Sequence, residues 1–122
     1  MPQILPCVPS EPSYEFTTIL NNTSVRFAFR WNARDAAWYF DIYDANDKPI
    51  IHSVKVVLGV PLGRRSTHPL LTRGVLVAME RARTRREPGL NDLGNLKTDS
   101  RVVLVYYTAQ EMAEALFRQA RG

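Results

Sequence analysis

The stretch SVRFAFRWNARDAAWYFDIYD, residues 24–44, alternates apolar and polar side chains on both sides of a short polar turn. A helix brings residues three or four apart onto one face, so strict period two excludes it and reads as two strands of an antiparallel hairpin. Val25, Phe27, Phe29 and Trp31 share one face with Trp38, Phe40 and Ile42. Arg26, Ala28, Arg30 and Asn32 share the other with Tyr39, Asp41 and Tyr43. The first face is expected to be core, with Trp31 beside Phe27 and Phe29 and at least one tryptophan as its anchor. On the second, cross-strand pairing of Arg26 and Arg30 with Asp41 explains the mixed charges.

The hairpin has a strand before it and further strands after it. Tyr14, Phe16, Thr18 and Leu20 face one way against Glu15 and Thr17, and NNTS closes that strand with turn chemistry. Asn21 and Asn22 each head an N-x-[ST] sequon but read as turn residues. DANDKP is a second turn, where Asp44 and Asn46 are expected to bond to nearby backbone. IIHSVKVVLGV follows as a strand or a bent pair ending near Gly59, with His52 expected to be partly buried in it. PLGRRSTHPLLTRG holds too many breakers for regular structure and reads as a surface loop. VLVAME is a short strand, and SRVVLVYYT, apolar on both faces around Val103, Leu104 and Val105, belongs at the centre of a sheet.

The ends differ from this β pattern. Pro2, Pro6, Pro9 and Pro12 favour an extended arm over residues 1–12, lying across this domain or a neighbour and ordering only on assembly. In TAQEMAEALFRQARG the period changes: Thr108 and Glu111 form a capping-box pair, and Met112, Leu116 and Phe117 make an apolar stripe. The expected organisation is an arm (1–12), a β domain (13–108) and a short C-terminal helix (109–122) whose stripe docks on the domain or on a partner. The fold class is all-β, a mainly antiparallel barrel or sandwich of about six to eight strands.

Chain length and 45% hydrophobic content suit one domain. No apolar run approaches the ~20 residues of a membrane-spanning helix, so a soluble chain is expected, and the proline-broken opening does not read as a signal peptide. The single cysteine, Cys7, cannot form an internal disulfide and reads as a small apolar residue. GVPLGRRS spaces its glycines one residue too close for a P-loop, and Arg64 stands where lysine is needed. DANDKP would require an oxygen ligand at Lys48 and glycine at Pro49 to be a calcium loop. His52 and His68 lack ligands at metal spacing, and no serine or cysteine sits in a nucleophile elbow. A non-enzyme without cofactor or metal is the expectation.

The net charge of +4 comes largely from arginine, densest at RARTRR with Arg81, Arg83, Arg85 and Arg86. Such a cluster suits a nucleic-acid patch, a solvated loop or an inter-subunit ion-pair surface. One functional reading is therefore a small basic β-barrel that binds single-stranded nucleic acid. It would use these arginines with Arg64 and Arg65, and bases would stack on Tyr39 and Tyr43.

The other reading comes from a resemblance. FRWNARDAAWYFDIYDANDKPI, GVPLGRRS, LLTRGVLVAME and EPGLNDLGNLKTDSRVVLVYYT, in that order over about residues 14–108, resemble the baseplate plug family of contractile-tailed phages, of the cyanophage type. The matching positions are Arg30, Trp31, Asn32, Trp38, Tyr39, Asp41, Ile42, Tyr43, Asp44, Gly59, Asp92, Leu93, Gly94, Val103 and Tyr106. The resemblance implies a virion structural protein in the tail baseplate, made in the host bacterial cytoplasm. Such a protein closes the tail-tube channel near the hub and spike, and hub, spike and tube proteins are its partners. It implies neither a cofactor nor catalytic residues. Homo-oligomerisation is expected, a trimer before a hexamer. The interface candidates are Arg26, Arg30, Tyr39, Asp41, Tyr43, Arg81, Arg83, Arg85, Arg86, Met112, Leu116 and Phe117. A tail-assembly chaperone or adaptor is a third reading. The basic RARTRRE departs from the shorter, more acidic turn expected of the family, and the C-terminal helix lies beyond the matched blocks.

Overall fold

The computed structural model describes residues 3–9, 11–63, 68, 71, 74–81, 84–98, 100–108 and 110–111. Among them are nine strands in two sheets, closed around one core. The first sheet is an antiparallel meander of β2 (Ser13–Leu20), β3 (Thr23–Asn32), β4 (Ala37–Asp44) and β5 (Pro49–Lys55). The second has the order β1 (Gln3–Ile4), β9 (Val102–Thr108), β7 (Gly74–Glu80), β6 (Pro61–Leu62). In it β8 (Leu93–Gly94) runs parallel to β9, on the residues just before those that pair with β1. The two sheets have separate edges, so the architecture is a sandwich and not a closed barrel. Of the nine strands, β1, β6 and β8 are only two residues long.

The hairpin is paired as its alternation requires, from Val25 opposite Asp44 to Asn32 opposite Ala37. Its turn holds because Asn32 Oδ1 accepts the Asp35 N–H at 3.1 Å. The β2–β3 turn puts Asn21 and Asn22 at φ 50° and 63°, the left-handed pair of a tight two-residue hairpin. In the β4–β5 turn Asp44 Oδ1 accepts the N–H groups of Asn46 and Lys48 at 2.8 and 2.9 Å. Asn46 takes part only through its backbone, not through its side chain as the sequence suggested.

Val25, Phe27, Phe29, Trp38, Phe40 and Ile42 are all fully buried. Tyr14, Phe29 and Phe40, cross-strand neighbours on three strands, stack with ring centroids 5.3 Å apart at each step. Of the two tryptophans, the fully buried anchor is Trp38. Trp31 sits near the end of its strand and is only half-buried, edge-on to Trp38 at 5.6 Å. His52 is a second correction: it stands on the solvent side of the edge strand β5, 54% exposed.

The second sheet supplies the facing half of the core through Leu62, Leu76, Ala78, Leu93, Val102, Leu104 and Tyr106. β9 lies inside the sheet, with β7 along one edge and β1 and β8 along the other, as its two apolar faces require. The proposed loop after Val60 begins with strand residues Pro61–Leu62, and much of the rest lies outside the described residues. The arm lies across this domain, one of the two placements expected of it. Gln3–Ile4 pair with β9, the Leu5 N–H donates to the Leu104 carbonyl at 2.9 Å, and Leu5 and Cys7 are fully buried. Asn95 Nδ2 donates to the Cys7 carbonyl at 2.7 Å. Two apolar side chains between the prolines thus fill a gap in the core of the arm's own domain. Burial pushes the Cys7 thiol up to about 12, with Tyr14 working against it, so the thiol is an apolar filler.

Candidate assembly interface

Five sequence-chosen residues, Arg26, Arg30, Tyr39, Asp41 and Tyr43, come together on the outer face of the first sheet. Register explains their pairing. Ala28 stands directly opposite Asp41, so Arg30 reaches Asp41 on the diagonal, at 3.0 Å. Arg26 reaches Glu15 on β2 at 2.9 Å and Asp47 in the β4–β5 turn at 3.3 Å. Its guanidinium carbon also lies 4.4 Å above the ring centre of Tyr43. At the hairpin end Tyr39 donates its hydroxyl to Asp35, which Lys55 also pairs at 3.3 Å. The face is thus a lattice of opposite charges, with its arginines engaged by carboxylates.

Asp41 has a further task. β5 is irregular against β4, and Ser53 takes φ 56°, a left-handed value unusual for serine. The Ser53 N–H is satisfied by Asp41 Oδ1 at 2.7 Å, while its hydroxyl accepts from Arg30 at 2.7 Å. Burial raises the Asp41 pKa, but the Ser53 N–H and the Arg30 guanidinium outweigh it and hold the carboxyl below the usual range. His52 adds its Nδ1 at 3.6 Å from Asp41 and stands edge-on to Tyr43.

The arginine-rich segment lies elsewhere, after β7, and its organiser is a residue that sequence reasoning passed over. Arg101, just before β9, directs its guanidinium to five acceptors: the Glu80 carboxylate, Thr84 Oγ1, the carbonyls of Arg86 and Glu87, and Asp92 Oδ2. Its side chain is 12% exposed. Glu80 in turn accepts the Arg85 N–H at 2.8 Å and the Thr84 hydroxyl. Asp92 accepts the Gly89 N–H at 2.8 Å. The Asp92 pKa is lowered by Arg101 first, and that of Glu80 by the Thr84 hydroxyl, the Arg85 N–H and Arg101 against burial. The signal available in the sequence was an arginine at the mouth of an otherwise apolar strand. Arg81 donates to the Arg101 and Ser100 carbonyls. Arg85 and Arg86 are exposed. Arg83, Met112, Leu116 and Phe117 lie outside the described residues.

One bond joins the two regions. The Trp38 indole N–H donates to the Gly89 carbonyl at 3.1 Å, tying the hairpin to the loop that Asp92 and Arg101 hold. Leu93 at the end of that loop is fully buried. Any side chain at Gly94 would collide with the hydroxyls of Ser100 and Thr98. Trp38, Asp92, Leu93 and Gly94 therefore act as one locking device, although more than fifty residues separate the first from the others.

The fold is a small double sheet with a polar face whose arginines are paired internally and a surface loop clamped by Arg101. The chain belongs to the family described as cyanophage baseplate Pam3 plug gp18, whose match covers residues 2–109. It is thus a structural component of a phage tail baseplate, associated there with other baseplate proteins. No curated protein matches the chain.

Proposed function

We propose that this protein closes the central channel of the tail tube at its baseplate end, beside the hub and spike. It acts there without catalysis, as a homo-oligomer in which a trimer is favoured over a hexamer, after synthesis in the host cytoplasm. The observation that carries this reading is the family match over residues 2–109, a span that holds every described strand. The physical character of the domain agrees with it. A plug needs stiffness and contact surface, and the two sheets supply both.

The contact surface proposed for neighbouring subunits is the outer face of Arg26, Arg30, Tyr39, Asp41 and Tyr43, with Arg81, Arg85 and Arg86 at a second site. Carboxylates hold Arg26 and Arg30 and would repel phosphate, which weighs against the nucleic-acid reading. Mass analysis of purified particles, followed by a density map of the baseplate, tests the proposal. Copies on the tube axis are expected. Copies placed only on the baseplate periphery would sink the plug reading, and absence from virions would favour an assembly chaperone.

A further inference from the structure

The outer face of the second sheet is unlike that of the first. Cross-strand register places Val75 opposite Tyr107, Val77 opposite Val105 and Met79 opposite Val103, with Ile4 beside Val105. Their neighbours Leu76, Ala78, Leu104 and Tyr106 point the other way, into the core. The outward set is apolar throughout, with the Tyr107 hydroxyl turned onto the Met79 sulfur at 3.4 Å. Val103 and Val105 are nevertheless only 4% and 5% exposed, against 43% for Met79 beside them. A valine on the open side of a sheet keeps a visible outer surface, so these two are covered along the line of β9.

We propose that residues 109–122 fold as an amphipathic helix that lies across this face of the same chain. The helix start is already in place at the end of the covered strand. The Thr108 N–H donates to Glu111 Oε1 at 2.9 Å, and the Glu111 N–H donates to Thr108 Oγ1 at 3.2 Å, the reciprocal pair of a capping box. At 100° per residue, Met112, Leu116, Ala120, Ala113 and Phe117 fall on one continuous arc, while Glu114, Arg118 and Arg121 fall opposite. Fourteen helical residues extend about 21 Å, and a seven-residue strand extends about 23 Å. The helix is therefore long enough to run back along β9 and cover it. All of the segment but its first residue lies beyond the family match, which ends at residue 109. The inference is thus independent of the plug reading, and leaves the charged face of the first sheet as the one open to neighbours.

The test is nuclear Overhauser spectroscopy on the full-length protein, with methyl-labelled valines and a labelled Phe117 ring. Cross-peaks from Phe117 to the Val103 and Val105 methyls, kept when labelled protein is diluted into unlabelled protein, are expected. Leu116→Glu should abolish them and raise the binding of an apolar-surface dye, while Arg118→Glu, on the opposite arc, should leave both unchanged. Cross-peaks lost on dilution would assign the occupant to a second copy and overturn the proposal. Their absence, with solvent-accessible Val103 and Val105 methyls, would overturn it as well.

Discussion

Trp38 is the residue on which the largest single loss should fall. Its indole is fully buried among Tyr14, Phe29 and Trp31, and its N–H holds the Gly89 carbonyl of a distant loop. Trp38→Ala should cost about 3–5 kcal/mol, the range for emptying a buried aromatic site, with a further loss from the stranded Gly89 carbonyl. Trp31→Ala should cost clearly less, because that ring already meets solvent. Urea unfolding of both variants checks the order, and equal losses would contradict the assignment. The alternation put both rings on one face correctly. How deep each lies depends on what the second sheet and the 84–92 loop bring over the hairpin, and alternation carries no trace of that.

At the scale of elements, the described part of the loop between β7 and β8 is held by the Arg101 guanidinium and not by regular structure. Arg101→Met keeps the side chain's apolar stem but removes every donor that Glu80, Thr84, Arg86, Glu87 and Asp92 share. Amide exchange at Arg85 and Gly89 should then accelerate strongly, because their N–H groups bond to the carboxylates that Arg101 positions. Exchange in β3 should remain slow. Unchanged protection at Arg85 and Gly89 would show that the loop holds itself. The period-two strands and the turns were readable because each depends on near neighbours in the chain. The Arg101 cluster draws on residues 80, 84, 86, 87 and 92, and only the closing of the second sheet brings these to one point.

For the whole molecule, the depressed carboxylates set the response to acid. Asp41, Glu80 and Asp92 all have folded pKa values below their ordinary ones. A group depressed on folding stabilises above its unfolded pKa, near 4, and loses that contribution as the pH falls through its folded pKa. Stability should therefore be flat from neutrality down to about pH 5 and decline below about pH 4. Thermal melts across that range measure it, and Arg101→Met should show a shallower decline. A stability that rose on acidification would contradict the sign. This acid response belongs to the sandwich as a whole, since Asp41 lies on one sheet while Glu80 and Asp92 border the other.

The sequence by itself determined the class of the fold, the faces of its strands, the central place of Val102–Thr108 and the family. Each of these follows from local periodicity or from blocks in a given order. Only the tertiary structure decided that Trp38 is the buried anchor, that Leu5 and Cys7 belong to the core, and that Arg101 binds the basic loop. The first two depend on contacts across about 50 to 100 residues of chain, and the third on contacts across 9 to 21 residues that near-neighbour periodicity does not register. Burial and hydrogen-bond satisfaction are settled by the neighbours a side chain acquires in space, whereas alternation records only the direction in which it sets out.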